Sequence, residues 1–322
     1  MADKQYVYAV ARIRSKELSL LSGAFLEQLM AAKSYDECIQ LLGEKGWGGD
    51  GITSAEELLA AEREKTWSLI GELVDDMSVF DVFLYSNDYH NLKAAIKEVR
   101  MGHEFPGIYI GQGTMAPERI RQAVEERNFQ DLPEDMRQPA EEAYRALLHT
   151  QDGQLCDIMI DRAALTAIYN AGQKSGNEFL KLYAELTVAA ADIKTAVRAA
   201  RTGKDRAFLE QALAPCASLD TARLTQAAIE GLEAIGSYLE TTDYAEAVEE
   251  LRRSPSAFER WCDNLMIRKI KPQQSCPFGL GPLAAYILAR ENEIKSVRIV
   301  LSGKLNHLPE ESIRERVREM YV

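Results

Sequence analysis

The residues whose types and spacing could do chemistry are few in this sequence. A phosphate-binding loop needs closely spaced glycines followed by Lys and then Ser or Thr at the start of a helix. The nearest string, Gly111-Gln112-Gly113-Thr114, lacks both the lysine and the third glycine. We therefore expect a turn at this position and no nucleotide site.

Metal-ligand patterns are incomplete in the same way. No histidine has a second histidine four residues away or a glutamate three residues before it, as zinc and di-iron helices require; the four are His90, His103, His149 and His307. Asp75 and Asp76 resemble the start of an aspartate-rich magnesium motif, but Val79 stands where the next aspartate is needed. We expect no metal and no cofactor.

The five cysteines are odd in number and widely scattered, and no apolar secretory segment precedes them. This usage predicts free, structural thiols in a reducing cytoplasm. A catalytic thiol would need a nearby histidine or helix N-terminus to lower its pKa, and the sequence identifies neither. We expect no catalytic residues in this chain.

Length and charge limit the possible partners. The chain has 322 residues, 46% of them hydrophobic, with 38 Lys and Arg against 50 Asp and Glu, a net charge of −12. Such a charge repels phosphate backbones and no dense basic run offsets it, so we expect no nucleic-acid partner. The longest uncharged stretch, 272–289, contains three prolines. A membrane span needs about 20 continuous apolar residues, so we expect none.

The elements that would position any site are helical. Apolar and small residues recur at alternating steps of three and four over 179–200, which predicts one long helix. Capping boxes at Ser34 and Ser54 and prolines at 117, 255 and 309 predict helix starts. Evidence for strands is confined to a weak alternation over 6–13 and a Gly-rich stretch over 107–113. We predict an all-α protein.

One pattern recurs three times along the chain: a polar residue, an aliphatic residue, a lysine, further basic residues and a glycine suited to a left-handed helix cap. Its members are Asn91, Lys93, Arg100 and Gly102, then Asp192, Lys194, Arg201 and Gly203, then Glu293, Lys295 and Gly303. The three lysines are separated by 101 residues each time. This repetition predicts three similar helical units at 1–103, 104–204 and 205–322.

Several motifs in a fixed order carry a family resemblance. They are Tyr8–Arg14, Cys262–Asn264, Cys276–Gly279, Pro282–Tyr286, Glu291–Arg298 and Arg316–Val322. The chain resembles, from end to end, the C subunit of the archaeal and bacterial V-type (A-type) rotary ATPases, which is called the d subunit in the vacuolar enzyme. The order of these motifs, more than any one of them, supports the resemblance.

The resemblance implies a funnel of three similar helical domains about a pseudo-threefold axis. It implies a non-catalytic rotor subunit of the central stalk, cytoplasmic and peripheral to the membrane. Such a subunit receives the shaft subunits D and F and lies on the proteolipid rotor ring, the c or K ring. It couples the two for ion transport linked to ATP hydrolysis or synthesis.

The repeated lysines leave three interpretations open. A solvated basic face is the default, and a direct contact with the shaft or the ring is another. The third pairs each lysine with an upstream carboxylate of its own unit, Asp161 with Lys194 and Asp263 with Lys295, at nearly equal spacings of 33 and 32 residues. Such pairs would fix the register of neighbouring helices.

The turn before the last long apolar segment is a candidate docking surface. Phe278, Gly279, Gly281 and Pro282 interrupt the backbone there. Residues 283–288 could instead simply enter a hydrophobic core, which we regard as the better interpretation. Two other classes of protein also remain open: a free-standing helical-repeat adaptor and an all-helical enzyme. An enzyme should show a pocket lined by converging titratable groups.

Overall fold

The computed structural model describes residues 6–49 and 54–322, and every regular element within those ranges is helical. This confirms the predicted all-α fold. The α-helices are α1 (Val7–Glu17), α2 (Gly23–Ala31), α3 (Tyr35–Glu44), α4 (Ala55–Leu73), α5 (Tyr85–Met101), α6 (Pro117–Glu125), α7 (Glu134–Thr150), α8 (Gly153–Lys174), α9 (Glu178–Thr202), α10 (Arg206–Ala212), α11 (Thr221–Glu230), α12 (Leu232–Leu239), α13 (Ala247–Arg253), α14 (Pro255–Ile270), α15 (Gly281–Leu305) and α16 (Glu310–Arg314). Short 3-10 helices cover Met77–Phe83, Phe129–Asp131 and Lys271–Ser275.

Local signals start two of these helices as the sequence predicts. Ser54 caps α4 by accepting a hydrogen bond from the Glu57 backbone N–H, and Glu57 accepts one from the Ser54 N–H, which completes the capping box. At α3 only half of the box forms. The Ser34 hydroxyl accepts from the Glu37 N–H, but the Glu37 carboxylate accepts from the Lys33 N–H at 2.6 Å.

Three other local expectations have mixed outcomes. Pro117 and Pro255 lie in the first turns of α6 and α14, as predicted. Pro309 lies one residue before α16, so it precedes that helix instead of starting it. The weak alternation over 6–13 covers the N-cap Tyr6 and the first seven residues of α1, and 107–113 contains no strand.

The chain divides into two compact units. The described residues of 6–77 together with 246–322 form one, called here the terminal unit, and residues 78–245 form the other, the central unit. Both predicted boundaries of the threefold division, after 103 and after 204, lie inside the central unit. The division into three similar units stays a prediction.

Helix α15 forms the middle of the terminal unit. It is buried on all sides along most of its length and packs against α1, α2, α3, α4, α14 and α16. Ile294, Val297 and Leu301 on this helix join a core with Leu29 and Leu59. The helix is buried despite its charged residues, and it packs with helices from both ends of the chain.

The core of the central unit lies between α5, α6, α7 and α8. Leu92, Ile96, Ala140 and Ile160 are completely buried in it. Helix α9 packs along α8 and contacts α10, α11 and α12. It runs from Glu178 to Thr202, which confirms the single long helix predicted over 179–200.

Within residues 6–49 and 54–322, none of the helices combines the length and the apolar composition that a membrane span requires.

Candidate functional site

The three repeated lysines lie on three long helices, Lys93 on α5, Lys194 on α9 and Lys295 on α15. The repeated glycines differ in their roles. Gly102 and Gly203 end α5 and α9 in the left-handed conformation, with φ of 63° and 64°. The pattern predicts the same cap for Gly303, and this is wrong.

Gly303 lies inside α15, which continues to Leu305. A side chain at this position would clash, because an added Cβ would lie 2.5 Å from Cγ1 of Ile313. The third glycine therefore allows α16 to pack closely against α15. Helix α15 continues ten residues beyond Lys295, whereas α5 and α9 end eight residues beyond their lysines, so the third glycine lies in the helix interior.

Two ion pairs join α5 to α8 in the central unit. Lys93 Nζ lies 2.6 Å from Oδ1 of Asp161, and Lys97 Nζ lies 2.9 Å from Oδ2 of Asp157. The lysines and the aspartates are each four residues apart, and the order of the contacts is reversed between the two helices. The pairs therefore form two rungs between antiparallel helices.

The carboxylate of Asp161 is thus used by Lys93 and not by Lys194, the partner that the spacing suggested. The reason is the packing: α5 presents its lysines directly to the acidic face of α8. Arg100, the last member of the predicted basic stripe on α5, is exposed.

In the terminal unit, Lys295 of α15 forms an ion pair with Asp263 of α14, the pair proposed from the spacing. Asp263 also accepts a hydrogen bond from Nε of Arg318 at 2.8 Å. Burial opposes ionisation of this carboxyl, but the two cations outweigh burial and hold the pKa of Asp263 below its ordinary value. The aspartate connects α14, α15 and the C-terminal segment.

An open groove of about 830 Å³ crosses the central unit between α5, α8 and α9, and it is closed at one end by α10. We call it the central groove. Ile158 and Leu165 of α8 line its floor, Lys194 and Arg198 of α9 line one wall, and Phe208 of α10 lines the closed end. Lys93 and Lys194 both line it.

Cations dominate the α9 wall of the central groove. Lys194 is half-buried and Arg198 is exposed, and neither makes an ion pair within 4.0 Å anywhere in the described parts of the chain. Lys204, near the closed end, donates to Oε1 of Gln154 at 2.6 Å and lies 5.2 Å from the centroid of the Phe208 ring. The groove therefore offers unpaired positive charge beside an apolar floor.

The terminal unit contains the opposite arrangement, a buried charge cluster made of Glu62, Thr66, Arg290 and Glu293. Arg290 Nη2 lies 2.5 Å from Glu62 Oε2, and Nη1 lies 2.5 Å from Glu293 Oε2. Arg290 Nε donates to the Thr66 hydroxyl at 3.2 Å. All four residues are almost fully buried.

Each carboxylate of this buried charge cluster also accepts a hydrogen bond from a backbone N–H. Glu62 accepts from the Gly48 N–H at 2.8 Å, and Glu293 accepts from the Leu21 N–H. Burial raises the pKa of Glu293, although Arg290 and the Leu21 N–H oppose the shift. The cluster fixes the positions of α4, α15 and two loops relative to one another, which is the best-attested use of buried ion pairs.

The polar residue that begins each repeat is fully buried in all three copies, and each one binds a backbone N–H outside its helix. Asn91 both accepts from the Ile110 N–H and donates to its carbonyl, each at 2.8 Å. Asp192 accepts from the Ala214 N–H at 3.0 Å. Glu293 accepts from Leu21, as described above. In each copy, the first polar residue of the repeat therefore fixes a neighbouring loop by accepting a hydrogen bond from its backbone.

Asp192 differs from the other two because its second carboxylate oxygen, Oδ2, is buried without a hydrogen-bond partner. Burial raises the pKa of Asp192 to about 7, against the opposing effects of the Ala214 N–H and of Arg162. The carboxyl group therefore holds its proton at pH values where an ordinary aspartate is ionised.

The predicted docking turn connects the 3-10 helix Lys271–Ser275 to α15. Gly279 adopts a positive φ of 87° there, and the side chain of Phe278 is half-exposed. Gly281 and Pro282 begin α15 and are buried. Leu283 is completely buried as well, so the apolar segment enters the core of the terminal unit. A docking role for the turn itself stays a prediction.

Two observations concern groups that could take part in catalysis. No group of three or more His, Cys, Asp or Glu side chains among them is arranged to hold a metal ion. Burial raises the pKa of the Cys156 thiol to about 11 and that of Cys216 to about 12, so neither is a reactive thiolate at neutral pH. The central groove also contains Asp157 and Asp161, which are paired with Lys97 and Lys93, so its unpaired charge is that of Lys194 and Arg198.

The sequence interpretation did not identify two of these features. Asp157 could have been found from its spacing, since it stands four residues before Asp161 just as Lys93 stands four before Lys97. The pairing of Arg290 with Glu62 joins residues far apart in the chain, and no local pattern marks it.

The profile of the family described as ATP synthase (C/AC39) subunit matches residues 9–316 of the chain. Three relatives are each 25% identical: the C subunits of the V-type sodium ATPase of Enterococcus hirae, of the A-type ATP synthase of Methanocaldococcus jannaschii and of the V-type ATP synthase of Thermus thermophilus. The matches cover 96%, 96% and 98% of this chain and 97%, 85% and 99% of those relatives, respectively.

The chain belongs to the ATP synthase (C/AC39) subunit family. The resemblance seen in its ordered motifs is therefore confirmed over nearly the whole length, and the all-helical fold agrees with it.

Proposed function

We propose that this protein is a non-catalytic central-stalk subunit of a V-type or A-type rotary ATPase. In this proposal it receives the shaft subunits D and F, lies on the proteolipid rotor ring, and transmits torque between them. It is cytoplasmic and reaches the membrane only through the ring. Its three repeat-bearing segments, 1–103, 104–204 and 205–322, act as similar helical units of one rotor part.

The observation that carries the proposal is the family match over residues 9–316, together with relatives of similar length that are named as the C subunits of such enzymes. The structure supports a mechanical part in two ways. Buried ion pairs stiffen the terminal unit, close packing of α5 to α8 stiffens the central unit, and the central groove provides unpaired charge for a polar interface.

The first test recovers the chain from detergent-solubilised membranes of its own host and identifies the co-purifying proteins by mass spectrometry at low and at high salt. We expect the D and F subunits and the ring proteolipid, with a lower yield of these partners at high salt. Recovery of none of them, with a soluble partner instead, would overturn the proposal in favour of a helical-repeat adaptor.

A second test separates coupling from catalysis. Membranes lacking this subunit should retain ATP hydrolysis by the catalytic head but lose ATP-driven ion transport. Adding the purified chain back should restore transport. ATP hydrolysis by the purified chain alone would contradict a non-catalytic role.

A further inference from the structure

The central groove contains a charge imbalance that the described chain does not satisfy. Lys93, on the α5 side, is neutralised by Asp161 at 2.6 Å. Lys194 and Arg198, on the α9 side, have no acidic partner within 4.0 Å among residues 6–49 and 54–322. Arg12 and Lys16 of α1 are also four residues apart and have no ion pair among the described residues, so what distinguishes Lys194 and Arg198 is their position in the lining of the central groove.

The geometry of these two cations is that of a helical ladder. Residues four apart on one helix project from the same face, with Cβ atoms about 5–6 Å apart. A second helix lying along α9 would meet them with acidic residues that are also four apart. The same arrangement already exists in this unit, where Lys93 and Lys97 of α5 meet Asp161 and Asp157 of α8.

The floor of the central groove completes the match to a helix. Ile158 and Leu165 of α8 provide apolar surface beside the cations, and Phe208 closes one end. An amphipathic helix binds in this way, with an apolar stripe against the floor and acidic residues along the edge. A groove of this kind selects among helices by the position of their apolar stripe and by the spacing of their acidic residues.

We propose that the central groove receives an acidic helix of the shaft subunits, whose carboxylates, four residues apart, pair with Lys194 and Arg198. This rests on the proposed function, because the shaft is the source of that helix. The contact would add a second set of ion pairs, between α9 and the bound helix, to those that join α5 and α8. It also gives the shaft a fixed register, since a shift of one residue would turn the carboxylates away from α9.

The charges in this contact determine where an acidic partner can bind. The acidic chain as a whole repels an acidic partner, so attraction is confined to the place where the cations are unpaired. Association should therefore depend strongly on salt. Screening lengths fall from about 14 Å to about 4 Å between about 50 mM and about 500 mM salt, and the attraction should weaken accordingly.

The test measures the dissociation constant between the purified full chain and the purified D–F subcomplex of the same host. The variant Lys194→Glu/Arg198→Glu reverses the two groove cations. The control variant Arg119→Glu/Lys174→Glu makes the same change in charge at two exposed residues of α6 and α8 that do not line the groove. Thermal unfolding of both variants checks that they fold.

We expect the groove variant to bind about 100-fold more weakly at low salt, with most of the difference abolished at high salt, and the control to change by less than about threefold. Equal binding by wild type and the groove variant would overturn the assignment of the groove, and so would an equal loss in both variants. Failure of the wild type itself to bind D–F would overturn the proposed function as well.

Discussion

Helices α15 and α9 carry equivalent copies of the repeat, but their charged residues have different surroundings. On α15, Arg290 and Glu293 are enclosed with Glu62, and the three form ion pairs within the terminal unit. On α9, Lys194 and Arg198 border the open central groove and have no ionic partner in the described chain. Charged residues on α15 thus stabilise the fold through ion pairs, whereas those on α9 have no ion pair and could bind a partner.

This difference shows that one copy of a repeat can serve stability while another copy serves binding. A buried cation whose partner is removed leaves uncompensated charge, so its loss should cost much stability. A surface cation without a partner contributes little to stability, so its charge would matter only to a ligand. Stability measurements can therefore test the comparison directly.

The largest effect should come from Arg290→Ala. This change leaves Glu293 buried without a cation and Glu62 with only Lys65, at 2.6 Å, and we expect the free energy of unfolding to fall by about 3–5 kcal/mol. Urea unfolding at pH 7 would measure it. A loss below about 1 kcal/mol would mean that the buried charge cluster is not what separates α15 from α9.

A second effect concerns Asp192→Asn and depends on pH. The pKa of Asp192 is raised to about 7 in the folded protein, against about 3.9 in an unfolded chain. The folded state therefore keeps a proton that the unfolded state releases. Wild-type stability should fall as pH rises from about 4 to about 7 and then level off, by about 2–3 kcal/mol between pH 5 and pH 8.

The asparagine variant should lack this component, so its free energy of unfolding should vary less between pH 5 and pH 8 than that of the wild type. Asn91 already shows that an amide can serve at this position of the repeat. The converse variant, Asn91→Asp, is the matched control and should acquire a pH dependence of the same sign. An identical pH profile for wild type and Asp192→Asn would contradict the assignment.

A smaller effect compares two aspartates that pair with repeat lysines, Asp263 of α14 and Asp161 of α8. Asp263→Asn should cost about 1–2 kcal/mol, because that carboxylate joins Lys295 and Arg318 in a largely buried setting. Asp161→Asn should cost less than about 0.5 kcal/mol, since its side chain is 59% exposed. Chemical denaturation of both variants provides the comparison.

The pKa of Asp263 is lowered in the folded state, so its contribution is present above the unfolded pKa of about 4 and is lost as pH falls through the lower folded value. The difference between wild type and Asp263→Asn should therefore shrink in acid. A difference that grows below pH 4 would exclude the ion pair as its cause.

The smallest effect should be that of Lys194→Ala/Arg198→Ala. With no ion pair to lose, the free energy of unfolding should stay within about 0.5 kcal/mol of the wild type. Thermal or urea unfolding of the isolated chain would show it. A larger loss would indicate that these cations support the central unit itself and would remove the contrast with α15.

The features that the sequence predicted well are local. The capping box at Ser54 and the helix over 179–200 depend on residues a few positions apart, and both form. The left-handed glycine caps formed at Gly102 and Gly203, where the copies of the motif have equal length. Gly303 was misassigned because α15 extends two residues further past its repeat lysine than α5 and α9 do, which the motif does not indicate.

The pairing of distant charges could be predicted only in part. Lys295 meets Asp263 as the spacing suggested, but Asp161 meets Lys93, because spacing along the chain does not say which neighbouring helix packs against which. The buried charge cluster was missed for the same reason. Its members Glu62 and Arg290 come together only when the two ends of the chain form one unit.

The way the terminal unit is assembled has a consequence for synthesis on the ribosome. Residues 78–245 emerge as one continuous segment and can fold as soon as they leave the exit tunnel. The α1–α4 region must wait until α15 has been translated, because its core partners on that helix come near the end of the chain. Nascent chains stalled before residue 281 should therefore protect the central segment from protease while leaving the first 77 residues open to cleavage. Equal protection of both segments would show that the N-terminal helices find another partner during translation.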